Sequence, residues 1–179
     1  MSISVTIVTK NRAKHLEIGL QSLAAQTFPQ KDFEVIVADN GSIDHTKEVV
    51  QSFSSRIENL RYIFDSRPGQ LVGWHRALSV ANGDVTCFID DDIRPYPDWL
   101  ASLKETYHEK SVGMVTGPIE LSFEMEEPSW LDHMIIGAKG GKTLPFLGLL
   151  DCGKKIREIP SNFVWGSNFS VRKSLLESA

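Results

Sequence analysis

The stretch Val85–Pro95, VTCFIDDDIRP, sets a short apolar, β-branched run directly against three consecutive carboxylates, Asp90, Asp91 and Asp92. The run reads as a buried strand, because Val, Ile and Phe suit a pleated surface and a continuous apolar stretch of this length suits a strand covered on both faces. The carboxylates then fall at its carboxyl end. Three adjacent negative charges repel one another, so without a cation at least one is expected to hold a proton or stay well solvated.

Working outward, three further β-rich runs precede it: Ser2–Thr9, Phe33–Ala38 and Leu60–Phe64, while the run before the carboxylates spans Asp84–Ile89. Helical patterns separate them. Leu16, Leu20 and Leu23 share one face after Asn11-Arg12; Thr46–Phe53 follows an Asp/Ser-rich, cap-like turn; Leu71–Ala81 follows Pro68-Gly69 and stops at Asn82-Gly83. Strand and helix alternate, which predicts an α/β fold: a Rossmann-like, mostly parallel sheet flanked by helices on both faces. Beyond Asp92 the pattern predicts a helix over Pro97–Tyr107 and a strand over Gly113–Ile119. From Glu124 to Pro160 glycines, aromatics and basic residues are scattered without a sustained period, the character of a functional loop or lid.

The chain has 179 residues, enough for one well-packed domain, within which residues 1–119 form the ligand-binding part and 120–179 a loop region on the other side of the site. Nineteen basic against 23 acidic residues give a net charge of -4, which argues against a broad basic field and so against a nucleic-acid partner. Cys87 and Cys152 have no metal-like spacing and read as free thiols of a reducing compartment, which favours the cytoplasm. The amino terminus shows no secretion-signal pattern, and no run of 18 apolar residues predicts a membrane span.

In an open parallel sheet, ligands bind outside the carboxyl ends of the strands, where the strand order reverses. The polar residues of this chain collect there. Thr9, Asn11 and Arg12 follow the first strand; Asp39, Asn40, Gly41 and Ser42 the second; Arg67 and Gly69 the third; Asp90–Asp92 the fourth. Such a set suits a nucleoside diphosphate, because a carboxylate accepts from base N–H or ribose hydroxyl groups and a second acidic cluster holds a hard cation against phosphate. Mg²⁺ or Mn²⁺ matches all-oxygen ligands. Taken singly, each piece also has an ordinary reading: a solvated acidic turn, a helix cap at Asp39–Ser42, a surface arginine at 12 or 67.

At this point the chain resembles the family 2 glycosyltransferases, which have the GT-A fold. The resemblance rests on SVTIVTKNR, VIVADNGSIDHT, RPGQ, ANGDVTCFIDDDIRPYPDWL, VGMVTGPIE and WGSNFSVRKSLLE. It implies a nucleotide-sugar donor, with UDP the first expectation, sugar transfer with inversion, and a divalent metal, Mn²⁺ or Mg²⁺. By the same resemblance Thr9, Lys10, Asn11 and Arg12 line the base pocket, Asp39 binds nucleobase or ribose, and Arg67 and Gly69 belong to the donor side. Asp90 and Asp92 match the first and third positions of the family's Asp-x-Asp pattern, so that Asp92, with Asp90 beside it, binds the metal, and Asp90 or Asp91 reaches the ribose. Trp165, Gly166 and Asn168 fall on the sugar and acceptor side.

Two departures accompany the resemblance. Gly73-Trp74-His75 stands where the family has an Ala-Arg-Asn-like run, and the Glu-Asp pair that carries the family's general base is expected beyond Ala179. Asp132 and Asp151, in the irregular segment, are the alternative candidates for the base within the sequence, although the family does not place one there. The acceptor, whether saccharide, lipid-linked or protein, is not legible, and a place at the inner face of a membrane is compatible with the sequence. A second reading is a nucleotide-sugar-binding module without catalysis. A third, phosphoryl or nucleotidyl transfer, predicts a glycine-rich loop after the first strand, and Thr9-Lys10-Asn11-Arg12 has no glycine.

Overall fold

The computed structural model describes residues 1–67, 69–138, 141–153, 155–164 and 166–177, with the side chains of Ala138, Phe146 and Asn162 left aside. The chain divides into two units, one formed by Met1–Val115 with the stretch from Ser170 on, the other by Thr116–Phe169.

In the first unit β1 (Ile3–Thr9), β2 (Phe33–Asp39), β3 (Leu60–Phe64) and β4 (Val85–Asp90) alternate with α1 (Ala13–Ala24), α2 (Thr46–Ser52) and α3 (Gln70–Leu78). α4 (Trp99–Thr106), β5 (Met114–Thr116), β9 (Asn168–Arg172) and α6 (Lys173–Leu176) follow. The six strands run in the order β3-β2-β1-β4-β9-β5, and β1 pairs in parallel with both β2 and β4. The order therefore reverses between β1 and β4, beside the acidic run.

The two faces of this sheet are built differently. Ile3, Val5 and Ile7 alternate down one side of β1 and pack with Leu16, Leu20 and Leu23 of α1, Val49 and Val50 of α2, and Leu100 and Leu103 of α4. The other side carries Ser4, Thr6 and Val8, and here α3 lays Gly73 against Val8 and the Trp74 ring against Phe88 of β4, while Ala77, with Ala81 just beyond the helix, packs on Ile36 and Ala38. Burying hydroxyls requires partners. Ser4 Oγ donates to Glu34 at 2.7 Å and accepts from the Gly83 amide at 2.8 Å, and Thr6 donates to the Cys87 carbonyl at 2.8 Å.

Asp84 closes the amino-terminal edge of β1 by accepting from the Ser2 amide at 2.8 Å and the Ser2 hydroxyl at 3.2 Å. The amide hydrogen bond first, and the hydroxyl with it, hold this carboxyl below the usual carboxylate range. A folded-state pKa lower than the unfolded one adds stability above about 3.9, and that increment disappears as the pH falls through the folded value. Asp84→Asn should therefore flatten the acid limb of a plot of thermal midpoint against pH, leaving the slope near neutrality unchanged.

Element bounds differ from the sequence pattern where local turns intervene. α3 begins one residue earlier, at Gln70, and ends at Leu78, because Val80 and Ala81 bond three residues back and tighten the last turn. α4 starts at Trp99 with Asp98 at its cap. β5 stops at Thr116, since Pro118 has no amide to extend a ladder, and Ile119 forms an isolated bridge to Leu150.

The second unit replaces the expected irregular segment with small regular elements. α5 (Leu131–Met134) leads into an antiparallel meander of β6 (Ile136–Ala138), β7 (Gly141–Leu144) and β8 (Leu149–Asp151). Its centre is Leu131, Leu144 and Leu149, backed by Leu121 and Ile135. Strands of three or four residues are too short for period-two alternation to emerge from a sequence window.

Candidate functional site

Three strand ends of the first unit build the site. The β1–α1 loop turns at Asn11, a non-glycine residue in the left-handed region with φ of 53°. Neighbouring loops hold that conformation. The Asn11 amide donates to Ser42 Oγ at 2.8 Å, the Asn11 side-chain oxygen accepts from the Ile43 amide at 2.8 Å, and the Ser42 amide in turn donates to Asp39 at 2.7 Å. Residues after β1 and β2 are thus locked into one frame.

Asp39 lies at the root of this frame, 1% exposed, and its second oxygen accepts from the Tyr62 hydroxyl at 2.7 Å. Burial first, and then the hydrogen bond to Asp39, raise the Tyr62 pKa well above the ordinary phenol, so this hydroxyl stays protonated and remains the donor. Tyr62 was not among the residues the sequence singled out. Its signal was position: it stands two residues before Phe64, which pairs with Asp39 in the β2–β3 register, and so faces the same side of the sheet.

At the other side of the strand-order reversal, the Thr9 hydroxyl donates to Asp91 Oδ2 at 2.7 Å. Arg12 Nε lies 2.9 Å from Asp91 Oδ1 and a terminal nitrogen of Arg12 lies 2.6 Å from Asp92 Oδ2. Gln70, the first residue of α3, donates to Asp90 Oδ1 at 3.0 Å. Arg12 is therefore shared by Asp91 and Asp92, while Asp90 turns to Gln70. Burial, followed by the charges of Asp92 and Asp91, pushes the Asp90 carboxyl above the usual range; burial also pushes up Asp91, against the hydrogen bond from Thr9 and the charge of Arg12. Extra positive charge at this locus would relieve both.

Val8, Thr9, Lys10, Arg12, Asn40, Gln70, Asp90, Asp91 and Asp92 enclose a cleft of about 400 Å³, a size suited to a small ligand. Of the residues marked in the sequence, the cleft gathers Thr9, Lys10, Arg12, Asn40 and the three aspartates. Asn11 and Asp39 stand behind it as the frame described above. Gly69, at φ of 118°, caps α3, and its carbonyl accepts from the Asn40 carboxamide at 2.8 Å. Arg67 is drawn to Asp65, with contacts of 2.9 and 2.6 Å, and that hydrogen bonding holds the Asp65 carboxyl far below its ordinary range. Gly166 lies in a turn of the second unit, and Asn168 opens β9, its backbone carbonyl accepting from Thr116 at 2.6 Å. Trp165, and Pro68 of the RPGQ stretch, lie outside the described residues.

Val8 and Gln70 complete the lining. Asn40 is 5% exposed, and its side-chain oxygen has no hydrogen-bond partner among the described residues. The departure at Gly73 also finds a physical reason. A Cβ there would meet Val8 Cγ1 at 2.5 Å, Val8 Cγ2 at 2.8 Å and the Asn40 side-chain oxygen at 3.0 Å. α3 approaches β1 closely enough only because residue 73 has no side chain. Gly73→Ala should destabilise the protein by about 1–3 kcal/mol through overpacking, measurable as a lowered urea midpoint with unchanged slope.

A doubly wound sheet with carboxylates and an arginine at its reversal point is an open α/β fold of the kind that receives ligands at such a point, and known proteins narrow the class. TarS (residues 1–349) of Staphylococcus aureus, solved in complex with UDP, superposes with a TM-score of 0.74 at 21% identity, covering 99% of this chain and 48% of that one. A mannosyltransferase of Pyrobaculum calidifontis, solved in complex with GDP-Man and Mn²⁺, superposes with a TM-score of 0.70 at 20% identity, covering 98% of this chain and 46% of that one. These are GT-A glycosyltransferases, and the fold is theirs. The sequence profile of glycosyl transferase family 2 matches residues 4–178, so the chain belongs to that family.

Among curated relatives, glycosyltransferase AglE of Haloferax volcanii is 31% identical over 122 residues, 68% of this chain and 40% of that protein. A validoxylamine A glucosyltransferase of Streptomyces hygroscopicus is 36% identical over 103 residues, 56% of this chain and 24% of that protein. Each match spans less than half of the relative's length.

Proposed function

We propose that the first unit binds the nucleotide-diphosphate sugar donor of an inverting, metal-dependent glycosyl transfer to an acceptor hydroxyl. The observation that carries this reading is the cleft at the β1/β4 reversal, where Thr9, Arg12 and Asp90–Asp92 meet. The family relationship and the nucleotide and nucleotide-sugar complexes of its structural neighbours support it. UDP is the first candidate nucleotide, GDP the second. Residues 1–119 are assigned to the donor part, and residues 120–179, with Trp165, Gly166 and Asn168, to the sugar and acceptor side.

The residues fit a hard divalent cation, Mn²⁺ or Mg²⁺, of a particular kind. No group of three His, Cys, Asp or Glu among the described residues is arranged to hold a metal by itself. Asp92, 49% exposed at the cleft, offers carboxylate oxygen, and Asp90 is the second candidate. One or two carboxylates completed by phosphate and water is the ordinary coordination of such cations beside a diphosphate. Bound there, the cation supplies charge neutralisation on the departing diphosphate. Thr9 fixes Asp91, Gln70 orients Asp90, and the Asp39–Ser42–Asn11 frame holds the Lys10-Arg12 loop at the cleft.

The cytoplasm, at the inner face of a membrane if the acceptor is lipid-linked, is the proposed compartment. Cys87 and Cys152 are both free thiols, and no helix among the described residues is long and apolar enough to cross a membrane. Thermal unfolding with UDP or GDP, each with and without Mn²⁺, tests the donor assignment. Ligand at about 100 times its dissociation constant adds roughly 2.7 kcal/mol, a shift on the order of 5–10 °C for this size. No shift with any combination would contradict the assignment.

A further inference from the structure

Arg12 stands in the cleft as a cation already in place. Its guanidinium touches Asp91 at 2.9 Å and Asp92 at 2.6 Å, and the side-chain exposures, 8% for Asp91 against 43% for Arg12 and 49% for Asp92, put one contact on the cleft floor and the other at its surface. The backbone under it is fixed on both sides. The Arg12 carbonyl accepts from the amides of His15 and Leu16 at 3.0 Å each, as the cap of α1. The preceding Asn11 is held in its left-handed conformation by Ser42 and Ile43. A planar, permanently charged fork delivered from such a base loses less freedom on pairing than a wandering surface lysine does.

A divalent cation bound through Asp92 needs oxygen lone pairs of the carboxylate that Arg12 engages. Two cations of like sign a few ångströms apart also repel. Direct occupation of Asp92 by metal therefore works against the arginine, unless the arginine gains another anion. A diphosphate is such an anion, and guanidinium groups pair with phosphate oxygens in the same forked geometry as with carboxylates.

We propose that Arg12 is a positioning residue that occupies Asp92 in the donor-free protein and passes it to the divalent cation when a nucleoside diphosphate enters the cleft. Metal and nucleotide then bind synergistically, each weakly alone, and linkage makes the enhancement equal in both directions. The inference rests on the cleft being the donor site and adds an order to its filling.

The test is Mn²⁺ binding followed by the electron paramagnetic resonance of free Mn²⁺ at fixed ionic strength. Wild type, Arg12→Gln, Arg12→Lys and Asp92→Asn are compared without nucleotide, with UDP and with GDP. Removing the arginine should tighten binding of Mn²⁺ alone by about two- to fivefold, the scale of one partly exposed charge pair. It should also reduce the factor by which the productive nucleotide strengthens Mn²⁺ binding. Arg12→Lys should retain part of the suppression, because an ammonium still pairs with carboxylate as a point charge. A merely structural Arg12 gives the opposite sign, since a disturbed site binds Mn²⁺ less well. If Arg12→Gln leaves binding of Mn²⁺ alone unchanged or weaker, while Asp92→Asn still removes nucleotide-supported binding, the handover is wrong and the donor site stands. If Asp92→Asn changes neither, both are wrong.

Discussion

Asp92→Asn should remove the Mn²⁺-dependent part of nucleotide binding, weakening it by at least about 100-fold, the change left when a metal site loses its principal anionic ligand. The expectation follows from how the acidic run is arranged. Asp91 is 7% exposed and held by Thr9 and Arg12, and Asp90 is turned toward Gln70, which leaves Asp92, paired with Arg12 at the cleft surface, as the most exposed of the three carboxylates. An amide in its place keeps size and shape but loses the charge and one acceptor oxygen. The fold should tolerate the change, because only the surface contact with Arg12 is lost, and such pairs contribute little to stability. Calorimetric titration with UDP or GDP in the presence of Mn²⁺, beside the unliganded thermal midpoint, separates the two effects. An unchanged affinity would place the cation elsewhere.

The second large effect is on stability. Asp39→Ala should lower stability by about 2–4 kcal/mol, because the half-buried Ser42 amide and Tyr62 hydroxyl lose their buried acceptor together and an orphaned group costs about 1–3 kcal/mol. The loss should also spread to the site. Ser42 holds Asn11, and Asn11 sets the course of the chain through Arg12, so nucleotide binding should weaken even though the described cleft does not include Asp39. Adding Tyr62→Phe to Asp39→Ala should recover part of the lost stability by removing the orphaned hydroxyl. In the wild-type background the same Tyr62→Phe change should be destabilising. This sign reversal, read from urea unfolding of the four proteins, distinguishes the hydrogen-bond frame from a simple loss of packing.

Much of this architecture was readable in the sequence for one reason: a parallel α/β sheet puts its strand ends together, so residues that follow strands in the chain become neighbours in space. Thr9, Asp39 and Asp90 could be placed at one edge without knowing a single contact. The contacts themselves were not legible. Thr9 and Asp91 are 82 residues apart, and Arg12 and Asp92 are 80 apart. Nothing local to either member of these pairs announces its partner. Arg67 shows the converse, since a strand-end position suggested the ligand but a carboxylate two residues away, Asp65, captures the guanidinium.

Gly73 illustrates a departure from a family pattern that geometry explains: the missing side chain is what lets α3 lie against Val8. The meander between Ile136 and Asp151 was hidden for another reason, being made of strands so short that composition outweighs periodicity.

The most direct measurement of the central claim is where a bound metal–nucleotide pair sits. Substoichiometric Mn²⁺ added to the ¹⁵N-labelled protein with excess UDP, or GDP, should broaden the amide signals of residues 8–12, 40, 70 and 90–92, with little effect on signals from α2 or α4. Broadening centred away from the β1 and β4 carboxyl ends, or none beyond that of Mn²⁺ without nucleotide, would contradict the account.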